Sequence, residues 1–301
     1  MNIIIFGAGA IGSLIGGYLS KNNNVLLIGR KSHILSIKKN DLVIEGKRNL
    51  KIKISATESF DDLEIKSDLL ILTVKSYDTE SAILQVKKII DKDTIILSLQ
   101  NGLDNIEKIK DFIDYENIIA GVTTHGAFFS EPGIIKHTGM GVTILGELNG
   151  KKTDRINNII NCFNKSGIET IFSKDIIKEI WYKTIINSSI NPLTAIFNCK
   201  NGYLLENPII KNIVEKICEE STNIAKANGI NISYKSALEK TKDVIRKTSE
   251  NYSSMLQSIK NHKKTEIDSI NGKLVEIGKT YNINSYLNLV LTNLIKIEEN
   301  I

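Results

Sequence analysis

The feature that most constrains this chain is a glycine-rich motif that follows its first apolar run. That run, Asn2–Phe6, is short and rich in isoleucine, which predicts a buried strand. The motif G-x-G-x-x-G comes directly after it as Gly7-Ala8-Gly9-Ala10-Ile11-Gly12, and apolar residues at helical spacing follow. In a strand–turn–helix unit of this kind, the free N–H groups at the helix N-terminus face a phosphate. The motif alone is weak evidence, but this context predicts a dinucleotide site.

Each glycine of the motif has a separate task in such a site. Gly7 allows the tight turn, Gly9 lets the backbone approach a pyrophosphate, and Gly12 lets the helix lie close to the strand. The alternative interpretation is a tight turn that binds no ligand.

The end of the second predicted strand indicates which dinucleotide is bound. Val25–Ile28 is followed by Gly29, Arg30 and Lys31, with no acidic residue at this strand end. An acidic residue there would accept from the ribose 2′-hydroxyl of NAD and repel a 2′-phosphate, whereas Arg30 can pair with that phosphate. The sequence therefore favours NADP(H). The alternative is that Arg30 is a solvated loop charge and that either cofactor is accepted.

The first half of the chain alternates compact apolar runs with helical stretches, which is typical of an α/β fold. Further strands of a parallel sheet are predicted at Leu69–Val74, Thr94–Leu97 and Ile118–Thr123. Other elements predicted in this half are a hairpin of Leu42–Glu45 with Leu50–Ile54 at the sheet edge, a hairpin of Ile134–His137 with Val142–Leu145, a helix near Thr153–Asn164 and a strand near Glu169–Phe172.

The second half of the chain has a different character. Helical apolar spacing predicts helices at Asp175–Ile190, Pro208–Asn228, Ser236–Thr248, Lys264–Tyr281 and Tyr286–Glu298. The chain has 301 residues, and single cores tend to divide beyond roughly 250–300 residues. We therefore expect an N-terminal Rossmann-type parallel-sheet domain over residues 1–173 and an all-helical C-terminal domain over residues 174–301.

Composition narrows the classes of partner. The net charge of +5 is spread over many segments, whereas a nucleic-acid site needs a concentrated basic face. Three cysteines without C-x-x-C spacing predict neither a disulfide framework nor a metal site. No apolar run has the length of a membrane span, and the N-terminus opens directly into a strand pattern. We expect a cytoplasmic protein with a small-molecule partner, and the Ile- and Leu-rich terminal helices leave room for a homodimer.

Polar residues follow several predicted strands, at the edge where open α/β sheets bind ligands. Lys75 follows one strand, and Gln100 and Asn101 follow the next. His125 follows a third strand, but no neighbour in the sequence would orient it as an acid or base, and we predict a structural role for it.

Two polar features stand out in the helical half. Lys183 and Asn187 are four residues apart and share one helix face, and Asn191 continues this stripe if the helix persists up to Pro192. Glu266 leads a helical apolar pattern, so we expect it at the domain interface or at a helix end. For the stripe, the alternative is an exposed helix face that carries a surface lysine. For Glu266, the alternative is an ordinary ion-pair partner.

Together these motifs resemble the ketopantoate reductase (2-dehydropantoate 2-reductase) family over the whole chain. Each motif is modest by itself, but their order and spacing are specific. The motifs are the glycine loop, Val74-Lys75, Gln100-Asn101-Gly102, Lys183-x-x-x-Asn187-x-x-x-Asn191-Pro192, Asn251-x-x-Ser254-Met255 and Thr265-Glu266-Ile267-Asp268.

The resemblance implies NADPH-dependent reduction of 2-dehydropantoate to (R)-pantoate, on the route to pantothenate and coenzyme A, with Lys183 as the proton donor. The implied substrate contacts are Asn101, Lys183, Asn187, Asn191, Asn201, Asn251 and Ser254. The implied cofactor contacts are Gly7, Ala8, Gly9, Ala10, Ile11, Gly12, Arg30, Lys75, Asn101, Ala127 and Glu266. Whether Glu266 serves the substrate or the cofactor stays open.

The chemistry agrees with this role for the lysine. A ketone needs a hydride and a proton, and in the absence of a zinc ligand set a cationic side chain must polarise the oxygen. The alternatives are a paralogous reductase or β-hydroxyacid dehydrogenase that acts on another oxo acid, and a non-catalytic NADP(H) sensor.

Overall fold

The computed structural model describes residues 1–59, 66–87 and 89–300, and the chain forms two compact units. The first unit comprises Met1–Gln100 and Asn105–Ile177, and the second comprises Asn101–Asp104 and Lys178–Ile301. These units differ from the expected domains, residues 1–173 and 174–301, in the placement of residues 101–104 and 174–177.

The first unit is built from both strands and helices. In chain order its elements are β1 (Asn2–Phe6), α1 (Ala10–Leu19), β2 (Asn24–Ile28), α2 (Lys31–Asn40), β3 (Leu42–Gly46), β4 (Leu50–Ile52), β5 (Ser55–Thr57), β6 (Leu69–Leu72), a 3-10 turn (Ser76–Asp78), α3 (Thr79–Val86), β7 (Ile95–Ser98), α4 (Asn105–Lys110), a second 3-10 turn (Tyr115–Asn117), β8 (Ile118–Thr123), β9 (Gly126–Glu131), β10 (Ile134–Gly139), β11 (Thr143–Glu147), α5 (Asp154–Lys165) and β12 (Thr170–Phe172).

The main sheet has eight strands in the order β12-β11-β8-β7-β6-β1-β2-β5. The six strands from β8 to β5 are parallel to one another, and β11 pairs antiparallel with β8. Ile3, Ile4 and Ile5 of β1 are all buried, and so is the whole of β6. Strands buried on both faces read as continuous apolar runs, which is why the sequence identifies them well. The predicted α/β class with an N-terminal parallel-dominated sheet is confirmed.

A second sheet of four strands, in the order β4-β3-β10-β9, corrects two sequence expectations. The hairpin of β3 and β4 exists, but it belongs to this second sheet and not to the edge of the main one. β10 pairs with β9 and β3, whereas β11 pairs with β8, so the expected hairpin between β10 and β11 is wrong. Local alternation shows where a strand runs but not which strand it pairs with.

The helix and strand that close the first unit are as predicted. α5 begins after Thr153, whose hydroxyl accepts a hydrogen bond from the N–H of Ile156. β12 then pairs in parallel with β11 at the edge of the main sheet.

The regular elements described in the second unit are helical, which confirms the helical C-terminal part. They are α6 (Ile176–Ile196, whose first two residues belong to the first unit), α7 (Tyr203–Glu206), α8 (Pro208–Ala227), α9 (Tyr234–Lys247), α10 (Ser254–Lys260), a π-helical stretch (Asp268–Gly272, hereafter the π segment), α11 (Lys273–Thr280) and α12 (Tyr286–Glu298). None of the helices in the described part of the chain is both long and apolar enough to cross a membrane.

Two helix boundaries differ from those predicted. α6 does not end at Ile190 but runs through Pro192 to Ile196. The predicted helix from Lys264 begins later, because the π segment precedes α11 and Glu266 lies just before that segment. Both differences fall on stretches that carry candidate site residues.

Candidate functional site

Two glycines of the N-terminal loop are required by the packing of the chain itself. Gly7 has φ of +108°, and a Cβ atom there would lie 2.4 Å from the backbone N of Val74. A Cβ atom at Gly12 would lie 2.2 Å from the carbonyl oxygen of Gly7. Any side chain at either position would force the β1–α1 turn away from β6 or open the turn itself.

Gly9 is different, because a Cβ atom there would come no closer than 3.9 Å to an atom beyond its chain neighbours, the Gly7 carbonyl oxygen. Internal packing therefore does not explain this glycine. Gly9 precedes the first residue of α1 and gives no side-chain cap, so the N–H groups of Ala10, Ile11 and Gly12 remain available by helix geometry. An exposed glycine before uncapped helix N–H groups fits the close approach of a phosphate.

The end of β2 carries a positive charge. Arg30 is exposed and is the N-cap residue of α2, whose first turn contains no acidic residue. Gly29 lies against Ala8 of the glycine loop, where a Cβ atom would be 2.8 Å from the Ala8 Cβ. Arg30 thus follows directly on a residue that packs against the loop, and a 2′-phosphate at this strand end would meet its guanidinium.

The carboxyl ends of β6 and β7 are tied together by Gln100, which the sequence motif had not distinguished from its neighbour Asn101. The Gln100 amide donates to the carbonyl oxygen of Val74 at 3.0 Å and to the hydroxyl of Thr79 at 2.7 Å. Gln100 is buried, so its role is to hold this strand edge. Lys75 follows Val74 directly and is half-buried.

Asn101 belongs to the second unit, and so does Glu266. The Asn101 Nδ2 donates to Glu266 Oε2 at 3.2 Å, and Glu266 is only 6% exposed. The next residue, Gly102, has φ of +102°, and a Cβ atom there would lie 2.7 Å from the Cβ of Ser269. The glycine of the Gln-Asn-Gly motif is therefore needed for the loop of Asn101 to pack against the π segment.

The single helix α6 carries Lys183, Asn187 and Asn191. Their spacing of four residues places them on one face. Lys183 and Asn187 are half-buried and Asn191 is buried. A stripe that combines one ammonium group with two neutral amides can polarise and orient a carbonyl compound.

Asn201 and Asn251 are brought together, and Ser254 follows closely. The Asn201 backbone N–H donates to the Asn251 carbonyl oxygen at 3.0 Å, and its amide donates to Thr248 Oγ1 at 2.8 Å. Ser254 is exposed and is the first residue of α10.

Sequence reasoning missed the residue that holds this end of α10. Ser253 caps the helix by accepting from the N–H of Leu256, and it also accepts a hydrogen bond from Thr194 Oγ1 of α6 at 2.7 Å. A serine two residues before an apolar pair is a local N-cap pattern that could have identified it.

Ala127 lies on β9 opposite His137 of β10. The hydroxyl of Tyr18 contacts His137 Nδ1 at 2.7 Å, and His137 Nε2 lies 3.2 Å from Nδ1 of His125. Burial lowers the pKa of His125 from 6.5 to about 4, and the nearby His137 and Arg48 act in the same direction. A neutral, buried histidine that contacts a second one accounts for the position of His125 without a catalytic role.

No group of three or more His, Cys, Asp or Glu side chains that could hold a metal ion was found within the described ranges.

Comparison with known proteins agrees with this arrangement. Residues 3–150 match the family model described as ketopantoate reductase PanE/ApbA, and residues 175–299 match its C-terminal counterpart. The chain is 43% identical over 302 residues to a protein of Pyrococcus horikoshii named 2-dehydropantoate 2-reductase, and the match covers 100% of this chain and 98% of that protein.

Two solved structures are similar over the whole chain. One is a ternary complex of D-mandelate dehydrogenase with NADH and anilino(oxo)acetate, with a TM-score of 0.95, 30% identity, and coverage of 100% of this chain and 99% of that one. The other is a PanE/ApbA family ketopantoate reductase from Ralstonia eutropha, with a TM-score of 0.91, 28% identity and the same coverage. With a glycine loop, a Lys–Asn–Asn helix and full-length matches to both family models, the chain belongs to the ketopantoate reductase PanE/ApbA family.

Proposed function

We propose that this protein is an oxidoreductase that reduces 2-dehydropantoate to (R)-pantoate with NADPH. The observation that carries the proposal is the stripe of Lys183, Asn187 and Asn191 on α6, with the lysine half-buried. The full-length similarity to the 2-dehydropantoate 2-reductase of Pyrococcus horikoshii supports the choice of substrate.

Lys183 is the proposed acid. When bound, the nicotinamide dinucleotide supplies the hydride that adds to the ketone carbon. The ammonium of Lys183 polarises the ketone oxygen and transfers a proton to it as the C–O π bond becomes a C–H and an O–H bond. The lysine is left as a neutral amine and regains its proton from water.

Neutral and acidic groups orient the reactants in this proposal. Asn187 and Asn191 hydrogen-bond the substrate without adding a charge that would hold the lysine in its ionised form. Asn201, Asn251 and Ser254 receive the carboxylate end of the substrate. Asn101 and Glu266, which hydrogen-bond each other, serve the end of the site where the hydride is transferred.

The cofactor assignment rests on the first unit. The loop from Gly7 to Gly12 binds the pyrophosphate through backbone N–H groups, Lys75 and Ala127 contact the rest of the dinucleotide, and Arg30 pairs with the 2′-phosphate. The similar D-mandelate dehydrogenase was solved with NADH, so the proposed preference for NADPH rests on Arg30 of this chain and not on that structure.

The first test is NADPH consumption by the purified protein with and without 2-dehydropantoate. We expect turnover in the wild type and a loss of at least about 10²-fold in kcat for Lys183→Ala, the usual scale for the removal of a positioned acid. NADPH binding, measured by fluorescence titration, should persist in the variant. Lys178→Ala is the matched control, because Lys178 lies on α6 five residues earlier and therefore on a different face.

A near-normal kcat in Lys183→Ala would remove Lys183 from the acid role. NADPH binding without turnover of any oxo acid by the wild type would instead favour a dinucleotide sensor.

The second candidate is reduction of a different 2-oxo acid, and the similarity to D-mandelate dehydrogenase favours it. Both candidates use the same acid and the same hydride donor, so only kcat/KM values separate them. We expect 2-dehydropantoate to have the highest kcat/KM in a panel of 2-oxo and 3-oxo acids. A higher value for an aromatic 2-oxo acid would identify the second candidate, and one for a 3-oxo acid would indicate a β-hydroxyacid dehydrogenase.

A further inference from the structure

Pro192 creates a defect in the helix that carries the candidate site. Proline has no N–H, so the carbonyl of the residue four positions earlier, Ser188, loses its helical partner. α6 nevertheless continues to Ile196. Ser188 is fully buried, where an unpaired carbonyl would cost more than one at the surface. The freed carbonyl belongs to the residue after Asn187, and the proline is the residue after Asn191, so the defect adjoins two of the three residues of the stripe.

Asn271 supplies the missing donor. Its Nδ2 donates to the carbonyl oxygen of Ser188 at 3.2 Å, across 83 residues of sequence. The same Nδ2 donates to Asn288 Oδ1 at 2.9 Å, so both of its hydrogens are used. Asn271 is fully buried, and it lies in the π segment. A π-helical turn of this kind is uncommon and is found disproportionately at functional sites.

The orientation of the Asn271 amide is fixed from both ends. A carbonyl oxygen only accepts, so the amide must present its nitrogen to Ser188. Asn288 uses its own Nδ2 for Glu220 Oε1 at 2.8 Å and Ser221 Oγ at 3.2 Å, which turns its oxygen toward Asn271. Asn271 therefore donates both to Ser188 and to Asn288, and Asn288 in turn donates to Glu220.

The π segment also holds the loop of Asn101. Ser269 accepts from the N–H of Leu103 at 3.1 Å through its carbonyl oxygen, and its hydroxyl donates to Asp104 Oδ2 at 3.1 Å. Glu266, two residues before the segment, accepts from Asn101. One short stretch of backbone thus contacts both the loop of Asn101 and the helix of Lys183, all within the second unit.

We propose that Asn271 is a positioning residue for the reaction. It replaces the hydrogen bond that Pro192 removes from α6, and it thereby sets the direction of Lys183, Asn187 and Asn191 relative to Asn101 and Glu266. The inference rests on the proposed function, because the residues that it positions are those assigned there.

A double-mutant cycle between Asn271→Ala and Pro192→Ala tests the inference. Alanine at position 192 restores the N–H, so α6 can close its own bond to Ser188. We expect Asn271→Ala to lower kcat about tenfold in the wild-type background and less than about threefold in the Pro192→Ala background, because only in the wild-type background is the Ser188 carbonyl left without a donor. The loss of the hydrogen bond to Asn288 Oδ1 is common to both backgrounds and cancels in the cycle.

The control proline is Pro208, which stands at the first position of α8, where no helical N–H is needed. Pro208→Ala should not reduce the effect of Asn271→Ala. If Asn271→Ala does not fold, the cycle is run with Asn271→Ser, which keeps a polar side chain that is too short to reach Ser188.

Two further readouts separate positioning from a loss of folded protein. Asn271→Ala should leave the KM for NADPH within about twofold while kcat falls. It should also shift the midpoint of the alkaline limb of the kcat–pH profile, because the surroundings of Lys183 change. A purely structural residue would lower the folded fraction and the midpoint of urea unfolding without moving the pH midpoint.

Equal losses of kcat in the wild-type and Pro192→Ala backgrounds would overturn the inference. A coupling between the two substitutions in the free energy of unfolding, without a coupling in kcat, would overturn it as well. Failure of the proposed function gives a different result, namely a wild type that does not reduce 2-dehydropantoate. In that event the cycle is measured with whichever oxo acid the wild type reduces.

Discussion

At the residue scale, the proposed function assigns to Arg30 the distinction between two cofactors that differ by one phosphate. The guanidinium is exposed at the N-cap of α2, and the first turn of that helix carries no acidic residue. A carboxylate at this strand end would accept from a free 2′-hydroxyl, whereas a guanidinium can form charge-assisted hydrogen bonds to a 2′-phosphate. The side chain is exposed, so its removal should affect the ligand and not the fold.

Arg30→Ala should therefore raise the KM for NADPH at least about tenfold and change the KM for NADH less than about twofold. Steady-state kinetics with both cofactors on the same preparation measures this. Lys38→Ala, at the exposed far end of the same helix, is the control and should change neither value. Equal increases for the two cofactors would contradict a role in 2′-phosphate recognition.

At the scale of elements, the last helix shows how one chain segment caps another. α12 has no side-chain cap from its own N-cap residue, Ser285. Glu220 of α8 takes that role, since its two carboxylate oxygens accept from the N–H groups of Leu287 and Asn288 at 3.0 and 2.9 Å. A negative charge at a helix N-terminus also interacts favourably with the helix dipole.

Glu220→Gln should lower the free energy of unfolding by about 1–2 kcal/mol, because one oxygen and the charge are lost from the cap. Urea denaturation followed by circular dichroism measures the change. The neighbouring Glu219 forms an ion pair with Lys216 on the surface of α8, and Glu219→Gln should cost less than about 0.5 kcal/mol. Equal effects of the two substitutions would mean that the cap contributes nothing beyond a surface charge.

The elements also show which parts of the fold can be predicted from the sequence and which cannot. The glycine loop, the strands of the parallel sheet and the bounds of α8 and α12 follow from local pattern, because burial on both faces or on one face fixes their periodicity. The partner of β11 and the passage of α6 through Pro192 depend on distant residues. Asn271 lies 83 residues from the carbonyl that it satisfies. A proline inside a helical pattern normally predicts the helix end, and nothing local indicates the exception.

At the scale of the whole molecule, buried histidines link stability to pH. His33 is only 2% exposed, and burial lowers its pKa from 6.5 to about 4. The N–H of Gly133 donates to His33 Nδ1 at 2.9 Å, so the neutral ring carries its proton on Nε2, toward the hydroxyl of Ser13. A protonated ring could not accept from Gly133. The folded chain therefore holds His33 neutral at pH values where the unfolded chain protonates it.

The free energy of unfolding should fall as the pH drops from about 6.5 to about 4, because in that window the unfolded state binds more protons than the folded state. The contribution of His33 is complete above pH 6.5, is lost on approach to pH 4, and amounts to at most about 3 kcal/mol. Urea denaturation at pH 7, 5.5 and 4.5 should give a shallower pH dependence for His33→Asn than for the wild type. His262→Asn is the control, since His262 is exposed, and an unchanged slope in His33→Asn would rule out this linkage.

The position of residues Asn101–Asp104 in the second unit limits how the two units can be produced as separate fragments. These residues follow β7 in the chain but belong to the second unit, where they contact Ser269 and Glu266. A recombinant helical fragment cut from residue 174 onward would lack this loop and would leave the Ser269 hydroxyl and the Glu266 carboxylate without these partners. No single cut in the chain keeps both units whole. A separate helical unit would need residues 101–104 added back, either by circular permutation or by co-expression of a fragment that contains them.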